Sequence, residues 1–275
     1  MEITLRQLKT HEEYEACVVL QKETWGEDFI ECVPPAILMI GQKIGGVTAG
    51  AFDANGKLIG IVFGLTGMMA GRPVHWSHML AVRKDIRNEG IGQKLKLYQR
   101  DLLLQHGIET VYWTYDPLVA RNAHLNLNRL GAKISEYVPE MYGEDTGSDL
   151  HRGIGMDRFI VRWPIAEERV RLAISRQWQP DIHAFNRTPV VNTQLREDGV
   201  PTPIVIELPT IQAVRVEIPA NIESIQAESL DLAARWRATT RRAFLWYLER
   251  AYQVEIFYRD PVSERCFYGL SKSDK

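Results

Sequence analysis

Residues 78–104 contain the arrangement that most restricts the fold of this chain. An apolar run, "HMLAV", leads into the polar stretch "RKDIRNEGIG", and apolar residues then recur at helical spacing. This order predicts a strand, a turn and a helix that begins near Ile91 and is closed by Gly107. Gly90 and Gly92 allow the turn to approach a ligand closely, and the free N–H groups of a helix N-terminus attract anions. The turn is therefore a candidate phosphate site, with a tight strand-to-helix connection as the simpler alternative.

The residues around the turn exclude two common nucleotide-binding motifs. A dinucleotide-binding turn has a third glycine, and here Leu95 lies near that place. A nucleoside-triphosphate loop has Gly-Lys-Ser or Gly-Lys-Thr, whereas Gly92 is followed by Gln-Lys-Leu. Arg83, Lys84 and Arg87 give the turn a local positive charge that suits an anion.

The residues before and after this turn predict a mixed α/β domain up to about Trp163. The run "ITLRQL" predicts a strand, the segment from Thr10 to Glu13 forms a capping box for a helix, and Pro34-Pro35 opens a second helix. Asn55-Gly56 between apolar runs predicts a hairpin, and "VHWSHMLAV" adds a third consecutive strand. A strand at "IETVYWTYD", a helix at "LVARNAHLNLNRL" and a final pair of strands complete the order.

A second pattern starts at Ile165. It predicts a helix, a Pro-rich irregular stretch and two strands at "PIVIELP" and "AVRVEIP". A long helical region from Ile222, which can bend, and closing strands at "QVEIFYR" and "RCFYGL" follow. We predict two domains, residues 1–164 and a smaller α+β region, residues 165–275, packed on the first.

Charge and composition exclude several classes of protein. The chain has 33 basic and 35 acidic residues and a formal net charge of -2, so it has no global attraction to nucleic acid or to an anionic membrane. Its three cysteines have no metal-ligand spacing and do not suit a secreted disulfide framework. The N-terminus lacks a signal-peptide pattern, and no apolar run approaches about 18 residues. We expect a cytoplasmic protein without a bound metal, while the oligomeric state stays open.

The stretch "LAVRKDIRNEGIG" resembles the acyl-CoA-binding signature of the GNAT superfamily of N-acyltransferases, which is Arg/Gln-x-x-Gly-x-Gly/Ala after a strand that ends in Leu-Ala-Val. The order of strands and helices over residues 1–163 matches that fold. The resemblance implies a mixed, mostly antiparallel sheet flanked by helices, with the C-terminal α+β region as an addition. It also implies acetyl-CoA or another acyl-CoA as the co-substrate.

The resemblance further assigns residues to the acyl-CoA. It implies that backbone N–H groups of the turn hold the pyrophosphate, and these belong to Arg87, Asn88, Glu89, Gly90, Ile91 and Gly92. It implies that Leu80, Ala81 and Val82 present an exposed strand edge to the pantetheine arm, which can pair with that edge like an added strand.

The segment "ARNAHLNLNRLGA" is similar to the second motif of the superfamily, Asn-x-x-Ala-x-x-x-Tyr-x-x-x-Gly-Phe, but it departs from that motif. Ala120, Leu127 and Ala132 stand where Asn, Tyr and Phe are usual. In the superfamily the Tyr commonly protonates the leaving thiolate. The usual general acid is therefore missing from this sequence.

Acyl transfer to an amine requires a base for the amine and a proton for the sulfur. The strand before the turn carries His75 and His78, and histidine titrates near neutral pH. His78 has the strand parity of the position where the superfamily often has a Glu base, so we predict His78 as the base. A histidine fixed by hydrogen bonds is the alternative. Tyr115, beside the expected thioester, is the candidate general acid.

Candidate acceptor-binding residues follow directly after Tyr115. Asp116 suits an ammonium group and Arg121 suits a carboxylate, so the pair suits an α-amino acid, and we group Asn122 with them. The alternative for Asp116 is a helix N-cap. Tyr142, His151 and Arg152 border a polar, glycine-rich loop and are further candidates for contact with an acceptor, with a solvated loop as the alternative.

The sequence therefore predicts a cytoplasmic N-acyltransferase that moves an acyl group from acyl-CoA to the amine of a small molecule, with an amino acid as the first acceptor to test. Acetyl is the default acyl group and succinyl an alternative. Two other functions stay open. One is a non-catalytic acyl-CoA-binding module for sensing or assembly, and the other is a peptide or protein N-acyltransferase.

Overall fold

The computed structural model describes residues 2–87, 89–143 and 154–272. The strands of its largest sheet are β1 Thr4–Gln7, β2 Val47–Phe52, β3 Leu58–Met69, β4 Arg72–Val82, β5 Thr110–Tyr115, β6 Lys133–Val138 and β7 Arg158–Pro164. They lie in the order β1-β2-β3-β4-β5-β7-β6. The pairs from β1 to β4 are antiparallel, and β4 and β5 are parallel. The helices in this part of the chain are α1 His11–Trp25, α2 Pro35–Lys43, α3 Ile91–Gln105 and α4 Ala120–Ala123. The predicted mixed, mostly antiparallel fold is confirmed.

The C-terminal residues form further helices and two small sheets. Their elements are α5 Glu168–Ile174, β8 Thr193–Leu195, β9 Pro201–Pro203, β10 Ala213–Ile218, α6 Ile222–Glu228, α7 Leu230–Leu248, β11 Tyr252–Arg259 and β12 Cys266–Lys272. Strands β10, β12 and β11 form a three-stranded antiparallel sheet, and β8 pairs with β9. The predicted α+β character of this region is therefore present.

The chain divides into two compact units. The first contains the described residues up to Trp113 together with Arg162–Glu168, and the second contains the other described residues. Among the described residues, 114–143 and 154–161 therefore group with the C-terminal residues. A shared aromatic core accounts for this grouping. The ring of Phe159 in β7 packs edge to face on Phe244 of α7 with centroids 4.7 Å apart, and Phe244 packs on Tyr268 of β12 at 5.3 Å.

Local sequence signals account for the first elements of unit one. The side chain of Thr10 accepts a hydrogen bond from the Glu13 amide at 3.4 Å and caps α1 as predicted. The predicted hairpin between β2 and β3 is also confirmed. Its turn contains Gly56 at φ +77, and the Asp53 carboxylate accepts bonds from the backbone amides of Asn55 and Lys57, each at 2.9 Å.

Strand β4 departs from regular pairing at His78. Its neighbour Met79 pairs with Phe63 of β3 and Ser77 pairs with Gly64, so His78 has no partner in β3. This is a β-bulge, which bends the strand and leaves the backbone of one residue outside the ladder.

Strands β4 and β5 diverge after a short paired stretch. Among the described residues they pair at only two positions, His75↔Val111 and Trp76↔Tyr112. The edge of β4 beyond Trp76 therefore has no strand partner from β5, although β4 continues to Val82.

The long C-terminal helical region is two helices, as the predicted bend allows. Helix α6 begins after Asn221, whose side chain accepts a bond from the Ser224 amide. Ser229, in an extended conformation at φ -154, ends α6 and caps α7 by accepting a bond from the Leu232 amide at 3.2 Å.

The prediction of a strand at "PIVIELP", residues 203–209, was wrong. Only Pro203 of this run belongs to a strand, at the end of β9, and the rest has no regular structure. The carbonyl groups of this run accept hydrogen bonds from side chains of α7, in the place of bonds from a neighbouring strand. Arg235 donates to the Pro203 carbonyl at 3.0 Å, Arg242 to Ile206 at 2.6 Å and Tyr247 to Pro209 at 3.1 Å. These side chains satisfy three of its carbonyl groups without a strand ladder.

The helix predicted at "LVARNAHLNLNRL" has an unexpected geometry. After the short α4 the backbone forms a π-helical turn, His124–Arg129, with a bond from the Leu130 amide to the Leu125 carbonyl at 2.9 Å. Gly131, at φ +69, ends the helix as predicted.

Candidate functional site

The turn between β4 and α3, the predicted anion site, leads into a helix start that the described side chains leave uncapped. A single 3₁₀ turn, Lys84–Ile86, follows β4, and Gly90 then adopts a left-handed conformation at φ +75 before α3 begins at Ile91. Within the described residues no side chain caps the start of α3, and its first turn contains no acidic residue. The first N–H groups of a 15-residue helix are thus available to an anion at its positive dipole end.

The two glycines of the turn have space beside their Cα atoms. A Cβ atom built on Gly90 has no atom within 4 Å, and one built on Gly92 lies 3.7 Å from Leu80 and 3.9 Å from Val82. Leu80 and Val82 therefore point toward the start of α3, whereas Ala81 is buried on the opposite face of β4. The three residues predicted to contact the pantetheine arm lie on the stretch of β4 that has no partner from β5.

The charged residues of the turn have different surroundings. Arg83 forms an ion pair with Asp85 at 2.5 Å, and the Arg87 Nε donates to the Val82 carbonyl at 3.2 Å. This bond closes the turn, because it ties the turn back to the last residue of β4. Lys84 and Glu89 are exposed. Asn88, also predicted to contribute an N–H group, lies outside the described residues.

His78, the predicted base, is half-buried at the bulge of β4. Its ring packs edge to face on Phe63, with centroids 6.3 Å apart. Burial lowers the pKa of His78 because it disfavours the charged ring, and the charge of Glu31 opposes that shift. The imidazole is therefore neutral at neutral pH, which is the form that accepts a proton.

His75 is a structural histidine. It is fully buried, its Nε2 lies 3.0 Å from the Gln99 Nε2, and its Nδ1 lies 3.1 Å from the Thr66 Oγ1. Thr66 in turn donates to the Gly45 carbonyl at 2.7 Å. The tautomer consistent with these bonds has Gln99 donating to Nε2 and Nδ1–H donating to Thr66. Burial lowers the pKa of His75 to about 3, so of the two histidines in β4 only His78 suits acid–base chemistry.

Tyr115, the predicted general acid, is buried in the second unit. Its hydroxyl lies 3.2 Å from the hydroxyl of Tyr268, which donates to the Pro117 carbonyl at 2.9 Å. Tyr115 therefore donates its proton to Tyr268. Burial also raises its pKa above the ordinary tyrosine value. The hydroxyl proton of Tyr115 is thus engaged within the fold, and the raised pKa makes it a weaker acid.

Asp116 has a cationic partner within its own unit. Arg237 of α7 donates to both of its carboxylate oxygens, at 2.9 and 2.6 Å, and Arg158 lies 3.8 Å away. Asp116 is buried and also accepts a bond from the Leu118 amide at 2.8 Å. The predicted role as an ammonium ligand is replaced by a buried ion pair that joins β5 to α7.

The other two predicted acceptor residues lie on α4. Arg121 is exposed and forms an ion pair with Glu223 of α6 at 2.5 Å. Asn122 is half-buried, and its backbone N–H donates to the Val119 carbonyl at 2.9 Å. Leu127, in the place of the missing Tyr, is fully buried. Arg121 and Asn122 are adjacent in α4, and their predicted contact with an acceptor stays a prediction.

One buried residue beside the turn was missed in the sequence. Lys96 of α3 is only 2% exposed, and its Nζ donates to the Ser77 Oγ at 2.8 Å. The signal that reveals it is helical spacing, because Lys96 and Gln99 share the buried face of α3 with Leu95 and Leu103.

In the part of the chain that the structure describes, no group of three or more His, Cys, Asp and Glu residues could hold a metal ion. None of the helices in the same ranges is both long and apolar enough to cross a bilayer. His151 and Arg152 lie outside the described residues.

Comparisons with known proteins gave matches only among solved structures. No family model and no curated protein sequence matches the chain. The chain is similar to a GNAT superfamily phosphinothricin acetyltransferase from Sinorhizobium meliloti in complex with acetyl-CoA, at 15% identity and a TM-score of 0.48, covering 60% of this chain and 89% of that one.

Two further similar structures are also acetyltransferases. One is an acetyltransferase of the GNAT family from Streptococcus pneumoniae, at 17% identity and a TM-score of 0.47 over 58% of this chain and 98% of that one. The other is the ribosomal-protein-S18-alanine N-acetyltransferase from Escherichia coli, at 18% identity and a TM-score of 0.46 over 60% of this chain and 96% of that one. Because the TM-scores of these three structures are below 0.5, the function has to be argued from the residues of the site.

Proposed function

We propose that this chain is an acyl-CoA-dependent N-acyltransferase of the GNAT type that acts on the amine of a small molecule. The observation that carries the proposal is the turn from Arg83 to Gly92. The turn has a left-handed glycine and leads into a helix N-terminus that no described side chain caps, and the strand before it has an edge free of β5. A pyrophosphate joined to a linear amide chain is the ligand that matches both parts, and coenzyme A has that structure.

The donor would bind through backbone groups. The N–H groups from Arg87 to Gly92 hold the pyrophosphate, with Asn88 included as a proposed contributor. The edge of β4 at Leu80, Ala81 and Val82 pairs with the amides of the pantetheine arm. Arg83 and Lys84 strengthen the attraction for the phosphates of the acyl-CoA.

His78 is the proposed general base. The neutral imidazole takes a proton from the acceptor amine, directly or through water, as the nitrogen attacks the thioester carbonyl carbon. The carbon–sulfur bond then breaks, and coenzyme A leaves as a thiolate that is protonated by solvent or by the protein. The bulge at His78 supports this role, because it frees one residue of β4 from the ladder beside the proposed pantetheine edge.

The acceptor is proposed only as an amine of low molecular weight. Asp116 is left out of the acceptor site, because its carboxylate already accepts two bonds from Arg237. Arg121 and Asn122 stay candidates for contacts to the acceptor, and an amino acid stays the first compound to test. Acetyl is the proposed acyl group, with succinyl as the alternative.

A non-catalytic acyl-CoA-binding module is the second candidate. It is favoured by Leu127, which replaces the usual proton donor of the superfamily, and by the Tyr115 hydroxyl, which donates to Tyr268. Such a protein would use the same turn and the same strand edge without transferring the acyl group. The role of the protein would then be sensing or assembly, and it would need no acceptor amine.

Two measurements separate these functions. Calorimetric titration with acetyl-CoA and succinyl-CoA tests donor binding, and the release of free thiol across a panel of amines, amino acids and short peptides tests transfer. An acyltransferase binds one donor and releases thiol only with an acceptor, whereas a sensor binds without release. A rate that grows with peptide length would instead select a peptide or protein acceptor. The absence of binding to any acyl-CoA would contradict the proposal.

A further inference from the structure

Lys96 is a buried lysine in unit one that the proposed chemistry does not use. Its Nζ donates to the Ser77 Oγ at 2.8 Å and to the Gln99 Oε1 at 3.3 Å. The same atom lies 3.8 Å from the ring centroid of Trp113 and 5.9 Å from that of Trp163. No carboxylate forms an ion pair with it in the described ranges. Burial lowers the pKa of Lys96 well below the ordinary lysine value, so the fold keeps this side chain at a cost in solvation.

The contacts of Lys96 coincide with the point where β4 and β5 part. The last paired residues are Trp76 of β4 and Tyr112 of β5. The next residue of each strand is Ser77 and Trp113, and the Nζ of Lys96 contacts the side chains of both. One side chain of α3 therefore bridges the two strands at the vertex of their opening.

The alkyl stem and head of Lys96 suit such a bridge. The stem reaches from α3 across the buried face of the sheet, and the amino group can donate to Ser77 while it lies on the indole face of Trp113. A parallel pair that ends after two residues has few backbone bonds to set its angle. The side-chain bridge then contributes directly to the direction in which β4 leaves β5.

We infer that Lys96 is a positioning residue that fixes the vertex of the β4–β5 opening and thereby orders the strand edge that receives the pantetheine arm. The inference rests on the proposed function, because it assigns that edge to acyl-CoA. It concerns the pantetheine arm alone, since the pyrophosphate turn begins at Arg83, beyond the end of β4.

Gln99 offers a matched control on the same helix face. It is fully buried, lies one turn beyond Lys96, and lies 3.0 Å from the Nε2 of His75. His75 pairs with Val111, so Gln99 contacts the closed part of the two strands. Its Oε1 accepts the longer of the two Lys96 bonds, at 3.3 Å, whereas the contacts of Lys96 with Ser77 and Trp113 do not involve Gln99. Loss of either side chain leaves polar partners unsatisfied, and we expect comparable losses of stability.

The test compares Lys96→Met with Gln99→Met in the 275-residue chain. Calorimetry measures the Kd of acetyl-CoA and of 3′-phosphoadenosine 5′-diphosphate, which is coenzyme A without its pantetheine arm. We expect Lys96→Met to weaken acetyl-CoA binding about tenfold, because an edge that is no longer ordered must be ordered on binding. Its affinity for the truncated nucleotide should stay within about twofold of wild type, and Gln99→Met should leave the ratio of the two Kd values unchanged.

Hydrogen exchange without ligand gives a readout that does not depend on acyl-CoA. Lys96→Met should speed amide exchange at residues 77–80 and at Trp113, while Gln99→Met should not. Ser77→Ala removes one acceptor of the Lys96 bridge and should also speed exchange at these residues, with a smaller effect. This variant replaces Lys96→Met in the test if Lys96→Met does not fold.

The outcomes separate this inference from the proposed function. Equal losses of affinity for both ligands, or equal exchange in the two helix variants, would overturn the role of Lys96. Wild-type protein that binds no acyl-CoA would overturn the proposed function and the pantetheine part of the inference. Faster exchange at the vertex in that case would still support the bridge between the strands.

Discussion

Two regions of the chain place polar residues just after a strand: the turn from Arg83 to Gly92 and the stretch from Tyr115 to Arg121. They differ in whether other residues of the chain supply hydrogen-bond or ion-pair partners for those polar groups. In the turn, the start of α3 has no capping side chain among the described residues, and a Cβ on Gly90 meets open space. In the second stretch, Tyr115, Asp116 and Arg121 each have a partner from the C-terminal residues. Unfilled hydrogen-bonding capacity indicates a ligand site, whereas the same residue types with internal partners indicate a structural role.

The largest expected difference between the two regions is a loss of stability at Asp116. Asp116→Ala leaves Arg237 buried without its bidentate partner, and we expect unfolding in urea to show a loss of about 3–5 kcal/mol with unchanged Kd for acyl-CoA. Replacing both partners, Asp116→Leu with Arg237→Met, should recover most of that stability. A raised KM for the acceptor with unchanged stability would instead return Asp116 to the acceptor site.

A smaller effect, on the rate of acyl transfer alone, is expected when His78 is replaced. His78→Gln should lower kcat by about 100-fold, in the range for a lost general base, and leave the Kd for acyl-CoA unchanged. The folded-state pKa of His78 is lowered, so the base is neutral above that pKa and activity falls as the pH drops through it, below the ordinary histidine value. The variant should lose this acidic limb of the pH–rate profile. A profile identical to wild type would remove His78 from the mechanism.

A matched pair of glycines tests the turn itself. Gly90 and Gly107 flank the two ends of α3, adopt φ +75 and +71, and neither has an atom within 4 Å of a built Cβ. Alanine at either place should cost about 1–2 kcal/mol of stability, because both positions are left-handed. Only Gly90→Ala should also weaken acyl-CoA binding, by about tenfold, since its new methyl group occupies the proposed pyrophosphate side. Equal binding by the two variants would show that the turn is only a connection.

The smallest effect is expected at Tyr115. Tyr115→Phe removes one hydrogen bond to Tyr268 and should lower stability by about 0.5–1.5 kcal/mol, measured by thermal unfolding. Thiol release should keep its wild-type rate, because the hydroxyl is occupied within the fold. A tenfold lower kcat would restore Tyr115 as the general acid and weaken the contrast between the two regions.

Elements with strong local signals could be predicted from the sequence. The cap at Thr10, the turn at Gly56 and the helix that begins at Ile91 were predicted from residues close to one another, and local hydrogen bonds and glycine conformations are responsible for them. The strand predicted at residues 203–209 failed for the opposite reason. Its carbonyl groups bind Arg235, Arg242 and Tyr247, which lie about 30 to 40 positions away in the sequence.

The candidate site shows the same division. The sequence by itself predicted the turn that we propose as the anion site, because its glycines, its charges and the following helix lie within about a dozen residues and act through backbone geometry. Only the tertiary structure decided which polar residues remain available to a ligand. Asp116 is taken by Arg237 and Tyr115 by Tyr268, His75 is held in the core, and Lys96 bridges β4 and β5. These partners lie far apart along the chain, and hydrogen bonds between distant residues exist only once the fold brings them together.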